Sequence, residues 1–261
     1  MERKRISVDT VHFPARFHSL LSNAEVYDSS CSKQAQVWFI DKADGFYLKA
    51  APKGTLQREA DMTRFFHSKH LAAEVLFYES LDRDWLLTTR VPGEDCLYRP
   101  YMEDPKRLCD TLAHLLRELH GMNYSGCPVP DRTAEYCARA EHNYRTQQYD
   151  ISLFPGNWDY DSPEEAWAVA EGNRHLLRSD CLLHGDYCFP NIMLDNWKFS
   201  GFIDLDSGGV GDRHIDLFWA TWSLNFNLKT DAYRERFLDA YGRDVVEPEM
   251  FPIIGAFEVF G

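Results

Sequence analysis

The stretch His184-Gly185-Asp186-Tyr187-Cys188-Phe189-Pro190-Asn191, followed by Gly201-Phe202-Ile203-Asp204, decides how this chain is read. Asn191 stands five positions after Asp186, and Asp204 comes 13 residues after Asn191. Either aspartate by itself reads as a turn or cap residue, because Asp readily hydrogen-bonds its own backbone in such places. The combination reads differently. A carboxylate, an amide and a second carboxylate are hard oxygen donors, and such a set serves a hydroxyl group and a divalent cation together.

The same Asp-to-Asn spacing occurs in the protein-kinase catalytic loop H-R-D-x-x-x-x-N, which also has a metal-binding Asp downstream. Phosphoryl transfer asks for one carboxylate near the attacking hydroxyl and for oxygen ligands to Mg²⁺ between the phosphates. Most of its catalysis is positioning and neutralisation of charge. A loop holding Asp186 and Asn191, beside a strand end holding Asp204, would bring the three groups together.

Working outward, the preceding third of the chain alternates short β-like runs with turn residues. Val37–Ile40 and Phe46–Ala50 read as a hairpin around Lys42-Ala43-Asp44-Gly45. Val75–Glu79 and Trp85–Arg90 read as two more strands, with a helix over Leu56–His70 between the pairs. Val91-Pro92-Gly93 punctuates the pattern, and helices dominate after it. Asp104 caps a helix with Pro105 at its first position, and Leu108, Leu112, Leu115, Leu116 and Leu119 form its apolar stripe up to Gly121. Ser162-Pro163-Glu164-Glu165 opens another helix, and Asp216–Leu224, Asp231–Tyr241 and Glu249–Phe260 read as three more. The order gives a small sheet with one helix over residues 1–91, a short joint, and a larger helical part over 92–261. Its likeness in loop spacing to the protein kinases implies an α+β, bilobal protein-kinase-like fold, with an antiparallel-sheet lobe for nucleotide and a mainly helical lobe for catalysis and substrate. A cleft between two such lobes is a natural ligand site.

Composition narrows the function classes. At 261 residues with 44% hydrophobic and 26% charged, the chain is long enough to bury a sizeable core and has no bias toward disorder. A net charge of −13 argues against a nucleic-acid partner and favours cationic ligands. The seven cysteines are odd in number, evenly spread and without a C-x-x-C pair, which points to free thiols in a reducing compartment. The charged start Met1-Glu2-Arg3-Lys4-Arg5 is followed by no signal core, and no apolar run reaches membrane-spanning length. A cytoplasmic protein with no membrane partner, monomeric or homodimeric, is expected.

The segments Leu183–Leu194, Phe199–Leu205 and Gly211–Asp216 resemble the aminoglycoside 3′-phosphotransferase family. The Gly after His184, where protein kinases have Arg, is similar to the antibiotic and small-molecule kinases. The resemblance implies ATP and Mg²⁺ as cofactors and an aminoglycoside, a cationic small molecule, as acceptor. It assigns Asp186 as the catalytic carboxylate and Asn191 and Asp204 as metal ligands. Tyr47 and Lys49, two apart on a strand and so on one face, would stack on adenine and meet the phosphates. Glu59 matches the helix acid that pairs with the lysine. Thr89 and Val91, in the segment Thr88–Gly93, would read adenine through their main chain, and Ser29–Ser32 stands where a loop covering the nucleotide belongs. His184 and Asp216 resemble structural elements of the loop.

The acceptor's ammonium groups call for carboxylates, and the candidates are Asp159 and Asp161, Glu258 and the terminal carboxylate of Gly261. Of these, Asn157-Trp158-Asp159 resembles the family's substrate-loop segment and Glu258 its acidic carboxy-terminal segment. The chain departs from the family pattern at Phe257, at Gly261, and at Asp206-Ser207, where Gly-Arg is common. Two other readings stand beside this one. The first is a kinase of another small alcohol, such as a macrolide or a choline-like amine. The second is a kinase-fold protein that binds nucleotide without turnover. A protein kinase would need an A-P-E-like segment after Asp204, and none occurs.

Overall fold

In the computed structural model, residues 4–31, 35–153 and 159–261 are described. They divide into two compact units, Met1–Tyr98 with Pro190–Asp206, and Arg99–Phe189 with Ser207–Gly261.

The first unit is built on a six-stranded antiparallel sheet of β1 (Lys4–Ile6), β2 (Glu25–Asp28), β3 (Gln36–Asp41), β4 (Phe46–Pro52), β5 (Val75–Ser80) and β6 (Arg83–Thr89), in the order β1-β2-β3-β4-β6-β5. The β3–β4 hairpin turns as its sequence dictates, with the Gly45 N–H donating to Lys42 O and Gly45 at φ +90°, a conformation glycine adopts without strain. One face of the sheet packs Ile40, Leu48, Ala50 and Trp85 against Phe13, Phe17 and Leu21. Those last three residues lie around the short α1 (His18–Leu21). Helix α2 (Gln57–His67) lies between the two strand pairs in sequence and buries Ala60, Met62 and Phe66.

Two further pieces complete this unit. The strand β7 (Glu94–Asp95) pairs with β9 (Ile192–Asp195), which in turn pairs with β10 (Lys198–Phe202). This pairing carries the first unit past residue 91, where the sequence places its edge, to Tyr98, and gathers in the later hairpin. Gly93 makes the approach possible: a Cβ there would lie 2.2 Å from Leu194 O. The hairpin is tied to the end of α2, because Phe202 N–H donates to Leu71 O at 2.7 Å and the Phe66 and Phe202 rings meet edge-on.

The second unit is mainly helical. It contains α3 (Arg99–Met102), α4 (Pro105–His120), α5 (Arg132–Thr146), α6 (Pro163–Asn173), α7 (Arg213–Leu228), α8 (Arg234–Tyr241) and α9 (Met250–Glu258). A two-stranded ribbon joins β8 (Cys181–Leu183) to β11 (Gly209–Gly211). Asp104, Asp131, Ser162 and Asp212 cap α4, α5, α6 and α7 with their side chains. The core gathers Tyr136, Ala140, Ala166, Leu183, Ile254, Phe257 and Phe260. No helix of the described residues is long and apolar enough to cross a membrane.

Candidate active site

The first unit brings together residues that lie far apart in sequence. Lys49 points from β4, and its Nζ donates to Glu59 Oε2 on α2 at 2.7 Å and to Asp204 Oδ1 at 3.1 Å. Burial opposes the Lys49 charge, but the Glu59 and Asp204 carboxylates outweigh it and hold the lysine pKa above its ordinary value. Burial pushes the Glu59 carboxyl up to about 7 against the pull of Lys49, and the Asp204 charge adds to the rise. The lysine is therefore a fixed ammonium between two acids, one enclosed and one whose side chain is 52% exposed.

The β9–β10 hairpin explains the Asn191-to-Asp204 spacing. Ile192 pairs with Phe202, and the Ile203 N–H donates to Asn191 O at 3.0 Å. Asn191 and the residue before Asp204 thus lie side by side where the two strands end. Asp204 sits at φ +54°, a left-handed conformation that non-glycine residues adopt at a cost. Leu205, fully buried beside it, anchors the turn. An amide and a carboxylate oxygen presented there suit a small hard cation. No group of three or more His, Cys, Asp or Glu able to hold a metal occurs among the described residues.

Asp186 belongs to the second unit, in the loop that leaves β8. Its N–H donates to His184 Nδ1 at 3.3 Å, and its C=O accepts from the Cys188 N–H at 2.8 Å. His184 is fully buried and acts on the backbone, in keeping with a structural part. Asp216 is also fully buried; its two oxygens accept from the His184 N–H at 2.8 Å and the Gly185 N–H at 2.7 Å. Gly185 is required on two counts: its φ is +83°, and a Cβ would lie 1.9 Å from Ser207 O. Further along, Tyr187 OH donates to Leu112 O and Phe189 N–H to Ser223 Oγ on α7. Burial and the neighbouring Asp186 charge raise the Cys188 thiol far above its ordinary pKa, so it is a protonated filler.

The remaining expected residues fall in several places. Tyr47 is half-buried on β4 with its ring 5.2 Å from that of Phe39. The Thr89 N–H is already donated to Glu74 O at 3.0 Å, and Thr89 Oγ1 accepts from the Glu74 N–H at 2.9 Å. Thr89, expected to meet a base through its main chain, has its N–H engaged at the sheet edge. The buried Val91, by contrast, makes no N–H hydrogen bond among the described residues. Of the proposed nucleotide-covering stretch, Ser32 lies outside the described residues, as do Asn157 and Trp158 of the acceptor segment.

Asp159 is exposed, and its neighbour Tyr160 donates its hydroxyl to Pro252 O on α9. Glu258 is buried: its Oε1 accepts from Tyr136 OH at 2.9 Å and Trp219 Nε1 at 3.0 Å, and burial raises its pKa. Its Oε2 lies against Gly261, 2.7 Å from where a Cβ would stand. Glu258, expected on the acceptor side, is held by Tyr136 and Trp219 beside Gly261.

Sequence reading passes over Asp84. It is fully buried on β6 and accepts from the Gly54 and Leu56 N–H groups at the entrance to α2. An acid immediately before the apolar run Trp85-Leu86-Leu87 was the available signal.

The profile of the phosphotransferase enzyme family matches residues 29–251 of this chain. A probable aminoglycoside 3′-phosphotransferase of Lactococcus lactis subsp. lactis is 49% identical over 259 residues, covering 99% of this chain and 98% of its own. The aminoglycoside 3′-phosphotransferase of Niallia circulans is 28% identical over 207 residues, 78% of this chain and 79% of its own. Among solved structures, an aminoglycoside-3′-phosphotransferase of type VIII superposes with a TM-score of 0.74 at 22% identity, over 99% of this chain and 94% of that one. The aminoglycoside phosphotransferase APH(3″)-Id of Streptomyces rimosus, in complex with ADP and streptomycin, gives 0.74 at 20% identity, over 97% and 99%. These superpositions establish the α+β, protein-kinase-like fold. With a Lys–Glu–Asp cluster in one unit, a braced His-Gly-Asp loop in the other and this similarity over nearly its full length, the chain belongs to the phosphotransferase enzyme family, in its aminoglycoside 3′-phosphotransferase branch.

Proposed function

We propose that this chain transfers the γ-phosphoryl group of ATP to the 3′-hydroxyl of an aminoglycoside and so confers resistance to the antibiotic. The observation that carries the reading is the Lys49 ammonium fixed between Glu59 and Asp204, in a chain whose near full-length relative bears the name of that activity. The added phosphate places a dianion on a polycation and weakens its electrostatic grip on RNA.

In this reading the Asp186 carboxylate orients the acceptor hydroxyl and takes its proton as the new O–P bond forms. The bond from the γ-phosphorus to the β–γ bridging oxygen breaks, and ADP departs with that oxygen. Lys49, kept extended by Glu59, opposes the phosphate charge. Tyr47 lies against adenine, and the Val91 N–H is the main-chain donor for the base, since that of Thr89 is engaged. Asn191 and Asp204 would hold Mg²⁺, which when bound neutralises charge on the phosphates. Asp159 is exposed and suits direct contact with an ammonium group, while Glu258 positions the Gly261 end of the chain.

The test is ADP release by the purified protein with Mg-ATP, with and without kanamycin. Stimulation by kanamycin that disappears in Asp186→Ala supports the reading. No stimulation by kanamycin or by other aminoglycosides refutes it and redirects the search to other alcohols.

A further inference from the structure

Behind the His-Gly-Asp loop runs a buried polar chain that the reaction scheme above does not use. His120 is the last residue of α4, and its side chain is 1% exposed. Its Nε2 lies 3.2 Å from Asp216 Oδ2, and its Nδ1 lies 2.8 Å from the hydroxyl of Tyr241, the last residue of α8. Asp216 is itself fully enclosed on α7. Three helices and the loop therefore meet at one imidazole and one carboxylate.

The hydrogen-bond roles follow from the partners. Asp216 accepts from the His184 and Gly185 N–H groups, and an ionised carboxylate has only acceptors to offer. Nε2 of His120 must then donate. Burial outweighs the attraction of Asp216 and lowers the imidazole pKa, so the ring is neutral and Nδ1 is left as an acceptor. Tyr241 OH fills that position as donor. The donors converge on one carboxylate: Tyr241 hydroxyl donates to His120 Nδ1, His120 Nε2–H donates to Asp216, and the His184 and Gly185 N–H groups that precede Asp186 donate to the same Asp216 side chain.

Two features make this chain more than packing. A buried carboxylate that accepts from two consecutive amides has a required orientation, and a third donor on Oδ2 removes its freedom to rotate away from them. The loop it holds has no slack either, because Gly185 is pressed against Ser207 O. A small rotation of Asp216 is thus transmitted to the peptide planes that aim Asp186.

We infer that His120 is a positioning residue for phosphoryl transfer: locked in one tautomer by Tyr241, it orients Asp216, which sets the backbone of the His184–Gly185 segment and with it the Asp186 carboxylate. The inference rests on the proposed function where it speaks of Asp186 and turnover, and stands without it where it speaks of the loop backbone.

The experiment compares His120→Leu, His120→Gln and Tyr241→Phe with the wild type in two arms. Hydrogen–deuterium exchange followed over the Cys181–Phe189 segment reads the loop directly. Steady-state kinetics with Mg-ATP and kanamycin reads the consequence. His120→Leu removes both polar functions, and loss of such an outer partner should lower kcat about 10- to 100-fold. KM for ATP should stay within about twofold, since nucleotide binding is not involved. Exchange at the His184 and Gly185 amides should accelerate. Gln offers a donor to Asp216 and an acceptor to Tyr241, and should restore protection and bring kcat back to within about threefold of wild type. Tyr241→Phe leaves the imidazole in place without its tautomeric lock and should fall between the two.

If His120→Leu fails to fold, the Gln and Phe variants decide. Wild-type exchange in Tyr241→Phe, or equal loss of kcat in His120→Gln and Tyr241→Phe, overturns the inference. A folded His120→Leu with undisturbed amides and kcat overturns it as well. A wild type that kanamycin does not stimulate refutes the functional reading instead, and the exchange arm then decides the relay by itself.

Discussion

The Asp84 carboxylate on β6 accepts the Leu56 backbone N–H at 2.8 Å, and its other oxygen accepts the Gly54 N–H at 2.9 Å. These two bonds satisfy donors at the entrance to α2 and so place the helix that carries Glu59. Tyr78 OH donates to the same carboxylate at 3.1 Å. Asp84→Ala leaves the buried Leu56 N–H unpaired, which should cost about 1–3 kcal/mol, while the Gly54 N–H, on an exposed residue, can turn to water. Chemical denaturation measures the loss, and a variant as stable as wild type would remove Asp84 from this role. Burial acts to raise the Asp84 pKa, but its hydrogen bonds prevail and lower it. A depressed carboxylate stabilises above its unfolded pKa, and that contribution is lost as pH falls through the folded value. Wild type should therefore lose stability below pH about 4 more steeply than Asp84→Asn.

Lys49 is the cation between Glu59 and Asp204, so its removal acts on two acids at once. Lys49→Met should lower kcat/KM for ATP by about 10²- to 10³-fold, the range for deleting one preorganised electrostatic group. KM for the aminoglycoside should change little. An equal effect on both substrates would take Lys49 away from the phosphates.

Gly185→Ala adds a methyl group 1.9 Å from Ser207 O at a residue held at φ +83°. The left-handed conformation alone costs about 1–2 kcal/mol for alanine, and the overlap forces the loop to shift. Activity should fall by about two orders of magnitude or more, as when catalytic groups are misplaced by an ångström. A variant with wild-type kcat would mean that the loop position does not govern turnover.

Glu258 is an acid whose burial raises its pKa despite the hydrogen bonds from Tyr136 and Trp219. For a carboxyl group of this kind the sign is reversed from that of Asp84. Stability is greatest below the unfolded pKa and declines as pH rises toward the folded value. Glu258→Gln cannot ionise, so its melting temperature should match wild type in acid and exceed it at pH about 8. Thermal unfolding across that range reads the difference. Glu258→Ala should lose stability at every pH, and by disturbing the Gly261 end it should raise KM for aminoglycosides more than for ATP.

Activity should vanish with EDTA and return with Mg²⁺. Asp204→Asn, which retains one oxygen donor, should raise the Mg²⁺ concentration needed for half-maximal rate. If the Mg²⁺ dependence is unaltered in both Asp204→Asn and Asn191→Ala, these residues are not the ligands.

Much of this is legible in the amino-acid sequence because it is written locally. Asp104, Pro105 and Gly121 bound α4, and the Leu108–Leu119 stripe marks its buried face. The Lys42–Gly45 turn specifies the β3–β4 hairpin, and the spacing of Asp186, Asn191 and Asp204 marks the chemistry. Signals weaken where the buried face is polar. Helix α5 buries Arg132 and Thr133 beside Tyr136, Cys137 and Ala140, so it lacks the apolar stripe by which α4 is found. Helix α7 begins three residues before the start read from sequence, because its cap is Asp212. The strands β1, β2, β8 and β11 have three or four residues each, too few for alternation to be seen.

What the sequence determined by itself is the set of reactive groups, the order of a sheet followed by helices, and the family, since each rests on short-range spacing and turn chemistry. What only the tertiary structure decided is which of those groups are engaged. It pairs Lys49 with an acid 155 positions away, spends the Thr89 N–H on Glu74, encloses Glu258 beneath Tyr136 and Trp219, and sets His120 behind Asp216. The reason is physical: burial and long-range hydrogen bonding depend on elements brought together by the collapse of the core, and no local pattern encodes the partner of a buried polar group.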